Sequence, residues 1–458
     1  MPHWLKSLLQ GHAGSASKSW IFISISALIL AGFLSLFIMM GRIPLINKWM
    51  FDTQWMRRIL VVHVNLALLV SFYSFIASCT ILLPEQPPWS RRYPVAIMVS
   101  LLSIALMISS IFFTGSEAVL ANYIPVVDHP VFVASLLFFG FSICLTIFSK
   151  RLLPFRITDN NAGLLPPGAA APIRSAGVLI LISVFIFLIS WLITPLDLST
   201  NLYYEFIFWG GGHVLQFANM IAAVGIWIVL YQEISGKELF NTGKISALCY
   251  IYTIPVLATP LLLLEGTDST LYLKGFTLYM SWGIFPVVSV FIVVLLVKTF
   301  SLLNNQKSTI NFLKNPYSTG LVASIFLTII GFILGAMISG SNTMVPAHYH
   351  ATLGAVTIVF MSATYWLMEQ YGYSFSSRRN KGLLFKQLLT YTTGQLIFVA
   401  GLAVAGSYGL ARKVFGQEQI IHAPEIYIGL GLLLFGGLLA IAGGVMFLWN
   451  LIASFKSK

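Results

Sequence analysis

The chain has 458 residues, of which 58% are hydrophobic and only 9% are charged. This composition excludes a soluble globular protein and is typical of a protein that crosses a membrane many times. The net charge of +12 does not indicate a nucleic-acid-binding surface. Most of the basic residues fall in the loops on one side of the apolar segments, where the positive-inside rule expects them.

About twelve apolar runs are long enough to span a bilayer, so we predict an all-α polytopic membrane protein with its transmembrane helices in a single bundle. Placing the N-terminus inside puts most of the 26 basic residues on the inner side, which predicts that both termini are cytoplasmic. We expect one membrane domain over residues 1–458, with a short cytoplasmic tail at 1–19. The predicted spans are 20–42, 59–83, 94–114, 129–149, 175–195, 204–231, 245–264, 271–297, 319–340, 344–368, 386–411 and 426–453.

Four histidines lie inside predicted spans: His63 in the second, His213 in the sixth, and His348 and His350 in the tenth. A buried imidazole without a partner is costly in a membrane, so each of them is a functional hypothesis. The charge-derived topology runs these three spans in the same direction, with each histidine roughly one to three turns from the outer end. We therefore expect the imidazoles to form a layer. Hydrogen-bonded core histidines in a non-redox transporter are the alternative.

His348 and His350 are separated by about 200° around a helix axis, so they face opposite sides of it and cannot ligate one metal ion together. A layer of neutral imidazoles suits transition metals or heme iron. We predict two hemes, one on either side of the tenth span. His350 and His63 would ligate the iron of the first. His348 alone would ligate the iron of the second and leave its far side open for a small ligand, with His213 across the gap.

Three glycines, Gly210, Gly211 and Gly212, directly precede His213. Two explanations stay open for them. The first is close packing of helices, and the second is room for a large planar cofactor against the backbone. Gln216 lies about one turn after His213, on the same face of the helix.

The pattern as a whole resembles catalytic subunit I of the heme–copper oxidases, a superfamily of terminal oxidases and nitric oxide reductases. The resemblance rests on the twelve spans, on histidines in spans 2, 6 and 10, and on the His-x-His pair. It implies that His63 and His350 are axial ligands of a low-spin heme and that His348 is the proximal ligand of a high-spin heme. His213 would ligate a second, non-heme metal, so His348 and His213 would be catalytic. The sequence around His348 and the glycine-rich span 6 look closer to cbb-type oxidases and nitric oxide reductases than to mitochondrial-type enzymes, and we expect b-type hemes.

The resemblance also assigns a role to Arg412 and Lys413 at the outer end of span 11. They look like the basic pair that holds heme propionates in the family, and charge-assisted pairing with carboxylates is the physical reason. The resemblance further implies a bacterial or archaeal cytoplasmic membrane and a place in a respiratory chain. Electrons would come from a cytochrome c-type or cupredoxin subunit, or from quinol.

The sequence departs from the family pattern at the second metal. The family carries two adjacent histidines in span 7, but the matching end of this span reads Leu261-Leu262-Leu263-Leu264. Leucine cannot ligate copper, so a three-histidine copper site is not expected. A second metal would depend on His213 with Gln216 or Glu265.

Position 217 departs from the family as well. Nitric oxide reductases carry glutamates about one and two turns after the span-6 histidine, where this chain has Phe217 and Ile221. Many oxidases carry a cross-linked tyrosine at the first of these positions. Reduction of O2 to water needs several electrons delivered together, whereas reduction of two NO molecules needs only two. The missing residues therefore favour an NO-reductase-like or gas-binding role over a proton-pumping oxidase.

We expect a membrane cytochrome that binds or reduces a small gas, NO or O2, with electrons from a partner. A non-catalytic, heme-bearing electron-transfer subunit of a larger membrane redox complex is the first alternative. A non-redox membrane transporter is the alternative of a different class.

Overall fold

A computed structural model of the protein describes residues 10–42, 53–83, 90–149, 152, 164–304, 312, 314–375, 378–414 and 421–455. Within these residues, twelve helices are long and apolar enough to cross a membrane, which confirms the predicted all-α polytopic fold. In chain order they are α1 (Ala13–Arg42), α2 (Thr53–Ile81), α3 (Arg92–Phe112), α4 (Pro130–Ile147), α5 (Pro167–Ile193), α6 (Thr200–Ser235), α7 (Thr242–Leu263), α8 (Thr270–Asn304), α9 (Pro316–Ala336), α10 (Met344–Gln370), α11 (Arg378–Ser407) and α12 (Pro424–Phe455).

The first helix begins earlier than the sequence pattern predicts. It starts at Ala13, so the end of the tail expected at 1–19 is helical, while residues 1–9 lie outside the described residues. Serines in the first residues of this helix make that part of the sequence look less hydrophobic than the rest of the span, so the predicted start was too late. The Ser17 hydroxyl oxygen lies 2.7 Å from that of Ser78 in α2, and Ser17 is fully buried. Two serines that satisfy each other can lie inside a helix bundle at little cost.

Three of the helices are not α-helical throughout, and one of them, α3, ends in a short 3-10 turn, Ser110–Phe112. In α2, a π-helical segment, Asn65–Val70, begins two residues after His63. Such segments are rare and often occur at functional sites. The second half of α7, Ile254–Leu263, is a 3-10 helix that contains Pro255 and Pro260. Proline has no N–H to donate, so the α-helical hydrogen-bond ladder cannot continue through these positions.

The helices that carry the four histidines are the three most buried of the twelve. In α6, α10 and α2, 94%, 89% and 67% of the most apolar stretch is buried, against 50% or less in each of the other nine. Most of the other helices therefore expose a wide apolar face, as helices in contact with lipid do. The histidines thus lie on the most buried of the described helices.

The chain divides into two compact units. The first unit contains Met1–Leu28, Val64–Gln232 and Lys237–Leu296, and the second contains Ile29–His63, Glu233–Gly236 and Val297–Lys458. His213 belongs to the first unit, whereas His63, His348, His350, Arg412 and Lys413 belong to the second.

A short β-hairpin in the first unit joins α3 to α4. Strands β1 (Ala118–Val119) and β2 (Val126–Val127) pair antiparallel, and all four residues are buried. The side-chain nitrogen of Asn65 in α2 donates to the backbone oxygen of Pro125 at 2.8 Å. This bond anchors the hairpin to the π-helical segment of α2.

In the second unit, α11 and α12 form a seam of glycines at seven-residue spacing. The seam consists of Gly394 and Gly401 in α11 and of Gly429, Gly436 and Gly443 in α12. A Cβ on Gly394 would lie 2.3 Å from the backbone nitrogen of Ala440, and one on Gly401 would lie 2.5 Å from that of Leu433. The two backbones therefore touch, as small residues allow in membrane helices.

Candidate functional site

His63 lies in α2 with its ring half-buried. Its Nδ1 is 2.8 Å from the backbone carbonyl oxygen of Ala31 in α1. A carbonyl oxygen can only accept, so Nδ1 carries the hydrogen and Nε2 keeps its lone pair. Metal-ligating histidines usually have this arrangement, because the second hydrogen bond fixes both the tautomer and the ring orientation.

His348 has the same arrangement on another helix. Its Nδ1 is 2.7 Å from the carbonyl oxygen of Gly331 in α9, so its Nε2 also keeps a lone pair. The ring rests against Gly335, one turn further along α9, where a Cβ would lie 2.8 Å from Nδ1. The missing side chain at Gly335 therefore lets this imidazole approach the backbone of α9 and bond to it.

His350 packs against α11 instead of α9. Its ring meets that of Phe398 edge to face, with centroids 4.8 Å apart and planes at 63°. The ring of the adjacent Tyr349 is 5.1 Å away at 36°. Because His348 contacts α9 and His350 contacts α11, the two histidines lie on different sides of α10.

Arg412 and Lys413 lie in the turn that follows α11. The backbone N–H of Thr343 donates to the carbonyl oxygen of Leu410 at 2.9 Å, which ties this turn to the start of α10. Arg412 is half-buried and Lys413 is exposed. The structure thus brings the predicted basic pair to the end of the second unit at which α10 begins, shortly before its two histidines.

His213 lies in α6 and is 2% exposed. Its Nδ1 is 2.7 Å from the carbonyl oxygen of Trp209, one turn earlier in the same helix, which again leaves a lone pair on Nε2. Three rings surround the imidazole, with centroids at 4.6 Å for Tyr123, 4.8 Å for Trp209 and 6.1 Å for Phe276. Burial raises the pKa of the Tyr123 phenol, and the Glu205 carboxylate raises it further, so this phenol is neutral.

The three glycines before His213 are packed against aromatic side chains. A Cβ on any of them would lie between 2.3 and 2.8 Å from a ring atom. The rings are Phe276 at Gly210, Phe187 at Gly211 and Tyr123 at Gly212. These contacts support the first explanation, close packing, for the three glycines.

The hydroxyl of a tyrosine in α8 is inserted into the backbone hydrogen bonding of α6, in the turn that precedes His213. The backbone N–H of Gly210 donates to the Tyr272 oxygen at 2.8 Å, and the Tyr272 hydroxyl donates to the carbonyl oxygen of Phe206 at 2.7 Å. In an uninterrupted α-helix, the Gly210 N–H would donate directly to that carbonyl. The hydroxyl of Tyr272 thus forms part of the backbone ladder of α6. The sequence offers no signal for this insertion, because the partners are far apart along the chain.

A three-ligand metal site is not assembled from His, Cys, Asp and Glu side chains in the described part of the chain. Of the two side chains expected to assist His213, Glu265 is exposed and Gln216 is half-buried. The leucines at the end of α7 lie in its 3-10 segment, with Leu261 60% exposed and the following Leu264 78% exposed. His213 is surrounded by aromatic rings in the first unit.

The histidines of the second unit fit axial ligation of heme iron, which needs only one or two imidazoles. A further feature of this unit fits a bound prosthetic group. The Oε1 atom of Gln395 in α11 is buried and lacks a hydrogen-bond partner, although its Nε2 bonds to the Tyr391 oxygen at 3.1 Å. The amide carbon lies 3.5 Å from where a Cβ on Gly354 would be, one turn after His350. An unsatisfied buried acceptor thus lies beside this face of α10, where a group that donates a hydrogen bond would satisfy it.

The chain matches the family model described as cytochrome c and quinol oxidase polypeptide I over residues 15–446. It is 24% identical to an uncharacterized protein of Rickettsia prowazekii, over 97% of both chains. It is also 25% identical to an uncharacterized protein of Aquifex aeolicus, over 89% of this chain and 97% of the other. Its fold is similar to that of a heme–copper terminal oxidase dimer, with a TM-score of 0.70 and 17% identity over 95% of this chain and 84% of that one.

The twelve helices and the structural similarity define an integral membrane protein with the fold of a heme–copper oxidase subunit I. This chain belongs to the cytochrome c and quinol oxidase polypeptide I family, as a divergent member of the heme–copper oxidase superfamily. The resemblance noted in the sequence is confirmed. Membership implies heme cofactors, redox partners and a lipid environment in general terms.

Proposed function

We propose that this chain is a membrane cytochrome with a low-spin heme on His63 and His350 and a high-spin heme on His348, both of the b type. The proposal is carried by one shared feature. Nδ1 of His63 and Nδ1 of His348 each donate to a backbone carbonyl, at 2.8 Å and 2.7 Å. Each bond leaves the Nε2 lone pair available and raises its basicity, which a heme ligand requires. A transporter that only buries histidines in its core has no need to keep the Nε2 lone pair available.

The basic pair Arg412 and Lys413 is proposed to bind the propionate carboxylates. The turn that carries them is tied through Thr343 to the start of α10. An arginine can hold a carboxylate with two parallel hydrogen bonds, whereas lysine acts as a point charge. Arg412, the more buried of the two, is therefore expected to fix the orientation of a propionate, and Lys413 to neutralise charge.

The proposed activity is the binding or reduction of a small gas, NO or O2, with electrons from a partner. A heme held by His348 would supply an iron that binds such a gas. Reduction of two NO to N2O and water takes two electrons and two protons, whereas reduction of O2 to two waters takes four of each. Phe217 and Ile221 stand where members of the superfamily carry a tyrosine or glutamates, so this site suits the smaller demand. His213 is proposed as the second catalytic residue, through its Nε2 lone pair or as a ligand of a non-heme metal.

A non-catalytic, heme-bearing electron-transfer subunit is the second candidate. The enclosure of His213 by Tyr123, Trp209 and Phe276 favours it. Aromatic rings surround this imidazole, and the described residues do not assemble a group of three His, Cys, Asp or Glu side chains around it. On this alternative, His63 and His350 keep their role, and the protein passes electrons within a larger redox complex.

The setting proposed for either function is a bacterial or archaeal cytoplasmic membrane with both termini on the cytoplasmic side. The distribution of basic residues supports this orientation. The electron donor is proposed to be a cytochrome c-type subunit, a cupredoxin subunit or quinol.

Spectroscopy and metal analysis of the detergent-purified protein test the proposal. We expect two hemes per chain by pyridine hemochrome assay, a low-spin ferric EPR signal, and a CO-induced shift in half of the reduced heme. Copper should be substoichiometric by elemental analysis. One low-spin heme without CO binding would select the electron-transfer subunit.

Two other results would overturn the proposal. A protein without a Soret band, purified from cells supplied with a heme precursor, would select a transporter. Stoichiometric copper would contradict the ligand argument at α7.

A further inference from the structure

We infer that Phe398 is a positioning residue that sets the plane of the His350 imidazole. The glycine seam between α11 and α12 holds Phe398 in place for this role. This inference rests on the proposed low-spin heme, in which His350 is one axial ligand. It concerns the angle between the two ligand rings and not their identity.

The ring of a histidine can turn about its Cβ–Cγ bond, because that torsion has a broad energy profile. Neighbouring groups therefore have to select its plane. For His63, the carbonyl of Ala31 makes that selection, since the Nδ1–H bond lies in the plane of the ring and its hydrogen bond to this carbonyl is 2.8 Å long. For His350, the aromatic contact with Phe398, at 4.8 Å and 63°, opposes rotation. Edge-to-face geometry is favourable only over a limited range of angles.

Phe398 is itself held from behind, which makes it a fixed reference and not a mobile neighbour. A Cβ on Gly437 would lie 3.3 Å from Cδ2 of the Phe398 ring and 2.3 Å from the sulfur of Met39. Met39 belongs to a buried apolar cluster against which Phe398 packs. The ring is therefore confined between the imidazole of His350 and the backbone of α12.

The backbone of Phe398 is confined as well. A Cβ on Gly436 would lie 2.3 Å from the backbone nitrogen of Phe398. The seam glycine thus lets α12 press directly on the turn of α11 that carries the ring. Replacing Gly436 by alanine would push this turn away from α12 without removing the ring.

The angle between two axial imidazole planes is visible in the ferric state, because it sets the splitting of the iron d orbitals and hence the anisotropy of the low-spin EPR signal. A residue that acts only on protein stability would change the amount of this signal and not its g values. Phe398 is expected to change the g values, since outer contacts orient the ligands of a metal.

The test compares EPR spectra of the heme-loaded full chain in four forms: wild type, Phe398→Leu, Phe398→Tyr and Phe435→Leu. Phe435 lies on α12 and is 60% exposed, so its substitution controls for the loss of an aromatic ring. We expect a shifted or broadened low-field g value in Phe398→Leu, recovery in Phe398→Tyr, and no change in Phe435→Leu. If Phe398→Leu does not accumulate with heme, Phe398→Met, which fills a similar volume, replaces it with the same expectation.

A wild-type low-field g value in Phe398→Leu or Phe398→Met, with the low-spin signal present, would overturn the inference and leave the proposed function intact. A shift of equal size in Phe435→Leu would also overturn it. Absence of any low-spin signal from wild-type protein would instead overturn the proposed function on which the inference rests.

Discussion

The hydroxyl oxygen of Tyr272 lies 2.8 Å from the backbone nitrogen of Gly210, so a side chain of α8 completes the backbone ladder of α6 one turn before His213. The Tyr272→Phe substitution keeps the ring and removes this oxygen. A buried N–H and a buried C=O then lose their partner, at an expected cost of about 1–3 kcal/mol in the free energy of unfolding. Thermal unfolding in detergent measures the loss.

Tyr427→Phe is the matched control for this substitution, because Tyr427 is 58% exposed on α12. It should leave the unfolding temperature unchanged. Equal stability of Tyr272→Phe and the wild type would mean that the ladder of α6 closes without the hydroxyl.

Removing either proposed ligand of the low-spin heme should have the same spectral effect. His63→Ala and His350→Ala are each expected to abolish the low-spin ferric signal, since one imidazole cannot keep the iron six-coordinate. The CO-induced shift of the other heme should persist in both. His422→Ala, which changes an exposed histidine after α11, is the control. Loss of CO binding together with the low-spin signal would contradict the assignment of His348 to a separate heme.

The support of His348 by α9 can be tested at Gly335. A Cβ there would lie 2.8 Å from Nδ1 of His348, so Gly335→Ala should displace the ring and weaken its bond to Gly331. We expect CO binding to fall and the low-spin signal to remain. Gly444→Ala is the control, because nothing lies within 4 Å of its Cβ position. CO binding that matches the wild type in Gly335→Ala would show that the ring has room to move.

The packing of α6 against aromatic rings predicts a cost of overpacking at Gly212. A Cβ at this position would meet the Tyr123 ring at 2.3 Å. Gly212→Ala should therefore destabilise the protein by about 1–3 kcal/mol, as measured by thermal unfolding. Gly140→Ala in α4, where no atom lies within 4 Å of the Cβ position, should be close to neutral. An unchanged stability in Gly212→Ala would mean that the Tyr123 ring can move aside at little cost.

Composition and patterning were sufficient to predict the membrane class and the helices. They also predicted that His348 and His350 lie on different sides of one helix. These features depend on residues that are neighbours in the sequence, where hydrophobic periodicity and helix geometry apply. The twelve spans were predicted because a bilayer imposes a minimum length on each. The start of α1 was misplaced because paired serines such as Ser17 have no partner when read alone.

The sequence could not predict the groups that hold the histidines. The carbonyl of Ala31 and that of Gly331 carry no side-chain signal, and each lies on another helix. Tyr272 and Phe398 are ordinary apolar-helix residues until the fold places them beside Gly210 and His350. Such partners are set by tertiary contact, which periodicity does not encode. The glycines before His213 left two explanations open for the same reason.

The contact of α11 with α12 also bears on how the protein responds to its lipid. Gly394 and Gly436 bring the two backbones together, so neither helix can slide past the other without driving a side chain into a main chain. A bilayer that is thicker or thinner than the hydrophobic length is met by tilting of helices. Because of this contact, α11 and α12 have to tilt together as a rigid pair. The position of Phe398 along α11 relative to α12 should therefore be the same in long-chain and short-chain lipids.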